Sequence, residues 1–532
     1  MTLRSILATL ALLLALGCAQ RADAQRDADP RPNILFIFTD DHASQSISAY
    51  GSRINQTPHI DRIANEGAIF LNSFCANSIC GPSRASILTG LHAHANGFKD
   101  NTSRFDSSQQ TFPKLLQKAG YNTAMIGKYH LWDTPKGFDH WMILPGQGEY
   151  YNPDFITPDG KARIEGHCTN VVTDLGLDWL DNQRDRDKPF LLMLQHKAPH
   201  RTWMPAPEEL PLYRDQDIPE PDTLFSKHEG KGPAAKEQMM EIDRHMFYAY
   251  DLYCPIDKDE ALYKYYEGKI GRLNEQQRAE WDKWYEPENE AFRKAKPTMS
   301  DKDIVRWKYQ RYVKNYLRCI AGVDRNIGRV LKYLDEHPEL KDNTIVVYSS
   351  DQGFFLGENG WYDKRWMYEE SLAMPLVVRW PGMIEPGTRI EALVQNIDYA
   401  PTFLEIAGTE PDTPMQGRSI LDLFDSGAEP WREAIYYHYY EYQKFAHMVA
   451  PHYGIRTDRF SLMHFYLDKH DYWELYDLDK DPNQRKSVYT DPAYAETIKD
   501  LKKQLANLRE QYQVGVNEPA KRDKPPKGEE YE

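Results

Sequence analysis

The sequence predicts an α/β fold, and three observations carry that reading. Residues 33–38 (NILFIF) and 344–349 (TIVVYS) are near-continuous apolar runs with no polar alternation. A strand buried on both faces, as in a parallel sheet covered by helices, reads this way. Helix punctuation falls between such runs: Thr57-Pro58 opens one helical segment and Gly120 closes another. Acidic residues follow the runs directly, at Asp40-Asp41 and Asp351, and open α/β sheets gather their functional groups at the carboxyl ends of strands.

The elements follow in order. After the strand at 33–38, a helix is expected over 57–66, with Thr57 as cap and Pro58 at its first position. A helix at 111–120 precedes a strand at 122–126. A helix at 171–182 precedes a strand at 190–195, and further strands fall at 344–349 and 375–379. The alternation predicts a large, mostly parallel sheet sandwiched by helices. Between 222 and 301 the pattern breaks into a stretch rich in charge and aromatics, read as an insertion over the core. Helical pieces are expected there around 234–250 and 274–294, solvated in preference to lining a cleft. A long helix over 305–335 leads back to the strand at 344. From 433 the composition changes again. Short aromatic segments at 434–440, 454–465 and 473–478 predict a smaller antiparallel sheet, closed by a helix at 494–512. The tail, 517–532, is charged and proline-containing and is expected to be disordered. No internal repeat is visible.

The 532-residue chain divides into an export signal (1–24), a catalytic domain (25–432) and a C-terminal α+β subdomain (433–516). Arg4, an apolar run over 6–16 and Ala22-Asp23-Ala24 form the signal, which is too short to span a bilayer permanently. The chain is therefore expected to be periplasmic or secreted. LALGC, ending at Cys18, resembles a lipoprotein cleavage box, with Ala15 where leucine is preferred; a lipid on Cys18 would be its one route to a membrane. No later segment is apolar enough to cross one. A net charge of −15 excludes nucleic acid or a long polyanion held on a broad basic face. An anionic substrate would need a local cluster of cations. Besides Cys18 and Cys80, Cys75, Cys168, Cys254 and Cys319 could pair in three ways, among which sequence cannot choose.

Adjacent carboxylates repel unless a cation neutralises them. Asp40 and Asp41 follow the first strand, and Asp351 and Gln352 end a second buried run in the same way. Three carboxylates and an amide oxygen are hard ligands, suited to calcium or magnesium and poor for zinc. Four further segments carry candidate chemistry: CGPSRASILTG (80–90), GKYH (127–130), HKAPH (196–200) and GWYDKR (360–365). Taken alone, a Lys-x-His such as Lys128–His130 carries almost no signal. His92 and His94 are read as packing residues, not as a metal pair.

Cys80-x-Pro-Ser-Arg84, continued by Ala-Ser-x-Leu-Thr-Gly, closely resembles the signature of type I sulfatases, within the alkaline phosphatase-like superfamily. With the other motifs the resemblance covers most of residues 33–410. It implies that Cys80 is oxidised to formylglycine by a formylglycine-generating maturation enzyme. It also implies one calcium ion, held by Asp40, Asp41, Asp351, Gln352 and residue 80, with Gln352 standing where asparagine is commonest. Lys128 and Lys364 would bind sulfate oxygens, and His130 the second hydroxyl of the hydrated aldehyde. His200 would face the sulfate, Arg84 would orient the aldehyde hydrate, and His196 would be structural. One hydroxyl attacks sulfur; loss of a proton from the other re-forms the carbonyl and expels sulfate, a step serine could not complete. The run 357–375 resembles the branch acting on carbohydrate sulfates, which implies 6-O-sulfated N-acetylglucosamine or a sulfated polysaccharide. His438, His452 and Arg456 are expected as sugar contacts. Two alternatives stand beside this reading: a catalytically idle glycan-binding protein, if Cys80 stays a thiol, and a phosphate or phosphonate ester hydrolase of the same fold.

Overall fold

A computed structural model of the chain describes residues 29, 31–258, 260–425, 431–442 and 447–516. The expected export signal with Cys18, and the charged tail at 517–532, lie outside the described residues. Among the described residues no helix is long and apolar enough to cross a membrane.

Ten strands form one sheet: β1 (Asn33–Thr39), β2 (Ala68–Phe70), β3 (Asn122–Lys128), β4 (His140–Leu144), β5 (Asp154–Thr157), β6 (Gly160–Arg163), β7 (Phe190–Gln195), β8 (Thr344–Ser350), β9 (Leu376–Arg379) and β10 (Thr388–Ile390). Their spatial order is β10-β2-β9-β8-β1-β7-β3-β4-β5-β6. The centre, from β8 to β4, is parallel as predicted. Antiparallel strands flank it: β9 pairs antiparallel with β8, and β5 with both β4 and β6.

Side chains of β1 alternate between two cores. Leu35 and Ile37 enter one, with residues of α1 (Pro58–Asn65), α4 (Cys168–Asp178) and α6 (Asp301–Glu336). Ile34, Phe36 and Phe38 enter the other, with α2 (Cys80–Thr89), α3 (Phe112–Lys118) and α7 (Tyr399–Ile406). Thr57 stands at the cap position of α1, yet its hydroxyl bonds Asp61 and Ser48. The free N–H groups of His59 and Ile60 donate instead to Asp324, on α6. Sequence proximity placed the cap on Thr57; tertiary packing supplied a stronger acceptor from elsewhere.

The expected helix at 234–250 does not form. Only Ala234–Glu237 and Ile242–His245 are helical, because backbone groups between them pair across the fold. Met239 bridges to His447, Glu241 bridges to Trp361, and the Tyr362 N–H donates to the Met240 carbonyl. By contrast α5 (Glu275–Ala295) is a full helix with an Asn274/Gln277 capping box. It is not merely solvated: Trp281, Tyr285 and Phe292 are buried, and Phe292 stacks on Trp307 of α6 with ring centroids 3.5 Å apart.

The C-terminal region forms the expected four-stranded antiparallel sheet: β11 (Ala434–Tyr439), β12 (His452–Thr457), β13 (Phe460–Phe465) and β14 (Tyr472–Asp477). The single segment read at 454–465 is two strands joined by a turn. Tyr437 and Tyr439 pack on the large domain, whereas Tyr436, Ile455 and Leu475 pack under α8 (Ala495–Gln511). The five described cysteines are buried free thiols, so none of the possible pairings is made.

Candidate active site

The register of the parallel strands brings four loops to one level. Phe38 lies opposite Gln195 and Ser349, and Gly127 lies opposite Gln195. Asp40 and Asp41, Asp351 and Gln352, Lys128 and His130, and the segment 196–200 therefore leave the sheet side by side. Gly127 makes this possible. Its φ is +112°, and an added Cβ would lie 1.8 Å from the Gln195 carbonyl oxygen. Only glycine lets Lys128 approach so closely. Above the strand ends sits α2, all ten of whose residues are buried. Ile79 is extended and Cys80 opens the helix, so the thiol lies at the helix start over the carboxylates.

The charges form interlocking pairs. Lys128 Nζ donates to Asp40 Oδ2 and to Gln147 Oε1. Lys364 Nζ lies 2.7 Å from both oxygens of Asp41. Arg84 Nε donates to Asp351 Oδ2 at 3.1 Å, and its Nη1 donates to Gln195 Oε1 and the Lys128 carbonyl, each at 2.7 Å. Arg84 is thus fixed to the carboxylate floor. Gln352 Nε2 donates to Asp41 and lies 3.9 Å from Cys80 Sγ.

Burial pushes every carboxyl here upward, and the neighbours decide the outcome. For Asp40, Lys128, His200, Arg84 and Lys364 outweigh burial and hold it well below the usual range. Asp41 is pushed up to about 6 by burial, Asp40 and Asp363, against the pull of Lys364. Asp351 is pushed up to about 8 by burial and by Asp40, against Arg84. Lys364 is driven well above its ordinary value: burial lowers it, but Asp41, Cys80, Asp363 and Asp40 together outweigh that burial. Burial and Asp40 raise the Cys80 thiol, so an unmodified Cys80 is no thiolate nucleophile.

These residues fit a hard cation. Ligand atoms of Asp40, Asp41 and Asp351 lie within 4.8 Å of one another, as do those of Asp40, Cys80 and His200. Asp40 Oδ1 and Gln352 Oε1 are buried with no hydrogen-bond partner. Two orphan oxygens beside crowded carboxylates are what a cation would satisfy.

Burial and Lys128 push both His130 and His200 well below their ordinary value. His200 Nδ1 donates to the Arg201 carbonyl at 2.5 Å, which leaves Nε2 bare, 3.8 Å from Asp41 Oδ2. His130 has a positive φ of 55° and an unpartnered Nδ1. His196 is buried and pushed down to about 3 by that burial. His92 and His94 stack on each other and pack against Tyr436. Gln147 and Gln195 were not singled out by sequence. Gln195 ends a buried apolar run much as Asp40 follows one, so a signal existed; Gln147 has none.

The residues expected as sugar contacts have their polar atoms engaged within the protein. His452 is fully buried, its Nδ1 donating to the Ala450 carbonyl and its Nε2 accepting from the Met367 N–H. His438 bonds Tyr436 and Tyr466 through its two nitrogens and stacks on Tyr440. Arg456 makes a two-point pair with Glu369 and covers the Phe74 ring. Each has its polar atoms committed inside the subdomain or its seam with the large domain.

The sequence family described as Sulfatase matches residues 32–409, and that described as N-sulphoglucosamine sulphohydrolase, C-terminal, matches 357–511. An N-acetylglucosamine-6-O-sulfatase of Bacteroides thetaiotaomicron is 47% identical over 513 residues, covering 94% of this chain and 90% of that protein. The human N-acetylglucosamine-6-sulfatase is 27% identical, over 80% of this chain and 71% of its own. A solved structure, described as a complex with its substrate D-glucosamine-2-N,6-O-disulfate, superposes with a TM-score of 0.87 at 46% identity, covering 92% of this chain and 99% of that one.

Proposed function

The chain belongs to the sulfatase family and is a sulfuric ester hydrolase acting on carbohydrate sulfate, and from that premise we propose that it removes the 6-O-sulfate of N-acetylglucosamine or a related glucosamine. The observation that carries the reading is the buried constellation around residue 80: three carboxylates, Lys128, Lys364 and Arg84, with Asp40 Oδ1 and Gln352 Oε1 left unpaired.

We assign Asp40, Asp41, Asp351, Gln352 and residue 80 as holders of calcium, with residue 80 matured to formylglycine. Hydrated formylglycine would carry two hydroxyls on one carbon, and a calcium ion held by these residues would supply the positive charge that eases loss of a hydroxyl proton. Lys128 and Lys364 stabilise the sulfate oxygens as charge builds on them, in a site where burial strengthens each contact. Lys364 is held protonated and has a proton to give the departing sugar oxygen at neutral pH. His200, neutral with Nε2 toward Asp41, gains one as an anionic ester raises its basicity. His130, neutral with Nδ1 unpartnered, accepts the proton of the second hydroxyl. We further propose that the enzyme is exported, on the signal read at 1–24.

Free sulfate measured over a panel of sulfated saccharides tests the substrate. Release from 6-O-sulfated glucosamines, and little from 2-O- or 4-O-sulfated sugars, is expected. The reverse preference would overturn the assignment.

A further inference from the structure

One half-buried loop residue bonds the nucleophile's helix, the segment after His130 and, through Glu441, the Lys364 loop. Asn101 Oδ1 accepts the Gly81 N–H at 3.0 Å, in the first turn of the helix that Cys80 opens. No side chain of that helix's own cap position makes a bond there, so Asn101 serves as its cap from outside. The Asn101 carbonyl accepts Trp132 Nε1 at 2.7 Å, and the Trp132 ring lies 5.3 Å, centroid to centroid, from that of His130. The Asn101 N–H donates to Glu441 Oε2 at 3.1 Å. Glu441, just beyond β11, uses its other oxygen to accept Arg365 Nη1 at 2.6 Å, next in sequence to Lys364. Asp363 and Arg365, on either side of Lys364, have φ of 79° and 93°. Side chains rarely adopt such backbone, and the surroundings must hold it. Glu441 is buried, and so are Arg365 and Gly81.

We propose that Asn101 and Glu441 are positioning residues, which together set residue 80, His130 and Lys364 at fixed separations by bonding the nucleophile's helix to the lysine loop. The proposal rests on the sulfatase reading above, and it gives the C-terminal subdomain a role in the reaction. Glu441 is a carboxylate from that subdomain, and it adds a buried charged tie beside the direct bond from Ser78 Oγ to the Trp366 carbonyl. Residue 80 must meet sulfur while Lys364 meets the sulfate oxygens. A shift in either changes the reaction rate more than the binding of ground-state substrate.

Asn101→Ala, Asn101→Asp and Glu441→Gln test this on the full chain, with the thermal midpoint and the maturation of residue 80 (by peptide mass) recorded for each. A misplacement near 1 Å predicts that Asn101→Ala lowers kcat on 6-O-sulfated N-acetylglucosamine by about 10²-fold, with KM within about threefold of wild type. Asn101→Asp keeps an oxygen for the Gly81 N–H and recovers most of kcat. Glu441→Gln keeps one acceptor and falls between wild type and Asn101→Ala. An unchanged kcat in matured Asn101→Ala, a rise in KM at constant kcat, or equal loss in Asn101→Asp would each overturn the proposal. Failure of wild type to release sulfate would instead remove the substrate reading on which it stands.

Discussion

At the carboxyl ends of β1, β3 and β8, buried polar atoms crowd together with unmet hydrogen-bonding capacity; in the C-terminal sheet, His438, His452 and Arg456 are buried with theirs met. Asp40, Asp41 and Asp351 repel one another, and Asp40 Oδ1, Gln352 Oε1 and His130 Nδ1 have no partner. His452 uses both ring nitrogens, His438 bonds two tyrosines, and Arg456 makes a two-point pair with Glu369. Both regions bury histidine, arginine and acid, so burial of such residues does not mark a site. Clustered like charge with unmet bonding does, because a folded chain tolerates that cost where a ligand will meet it.

The comparison breaks most severely if the carboxylate floor is dispensable. Exhaustive chelation should abolish sulfate release, and added calcium should restore it. Asp40→Asn and Asp351→Asn should be inactive while retaining a cooperative thermal transition; turnover by either would deny the floor its role. Next in size are the cations. Lys128→Ala and Lys364→Ala each remove a buried contact to developing charge, worth about 10²–10³-fold in kcat, to be read from initial rates on both a sulfated sugar and a small aryl sulfate.

The other side of the comparison predicts loss of a different kind. Arg456→Ala leaves Glu369 without its partner at the seam and should cost about 3 kcal/mol of stability, seen as a lowered thermal midpoint. Because the Arg456 guanidinium is committed to Glu369 and the Thr457 carbonyl, activity on sugar and aryl sulfate should fall in equal proportion. A selective loss on the sugar would return Arg456 to the sugar-contact role first read for it. The smallest effect concerns pH. Asp41 and Asp351 are pushed up to about 6 and about 8, so protons would compete with a calcium ion for them in this range. Deprotonation on raising the pH frees ligands. The calcium concentration for half-maximal reactivation of chelated enzyme should therefore fall as pH rises through that window; a flat or rising dependence would contradict the assigned ligands.

Much of the site was legible because local pattern carried it. Asp40 and Asp351 each follow an apolar run, and Cys80–Gly90 is a contiguous motif that becomes one helix. Lys128 and His130 were legible only through resemblance, since the glycine that seats them, Gly127, matters through its closeness to Gln195. The rest depends on contacts between residues far apart in sequence. Nothing in the tripeptide around Asn101 announces that it caps the helix opened by Cys80, and nothing near Glu441 announces Arg365. The helix expected at 234–250 failed for the same reason: Met239, Met240 and Glu241 bond strands and loops that local propensity does not see. For His452 and Arg456 sequence could not separate the two roles, because aromatic surroundings look alike in a sugar platform and in a core.

The central claim, that residue 80 over the carboxylate floor takes the sulfuryl group, is tested most directly by the Cys80→Ser protein made in a host that cannot oxidise serine. After incubation with 6-O-sulfated N-acetylglucosamine, the peptide carrying residue 80 should gain the mass of one sulfuryl group, with at most a single equivalent of sugar released. Repeated turnover by this variant, or release of sulfate with no adduct at residue 80, would contradict the account.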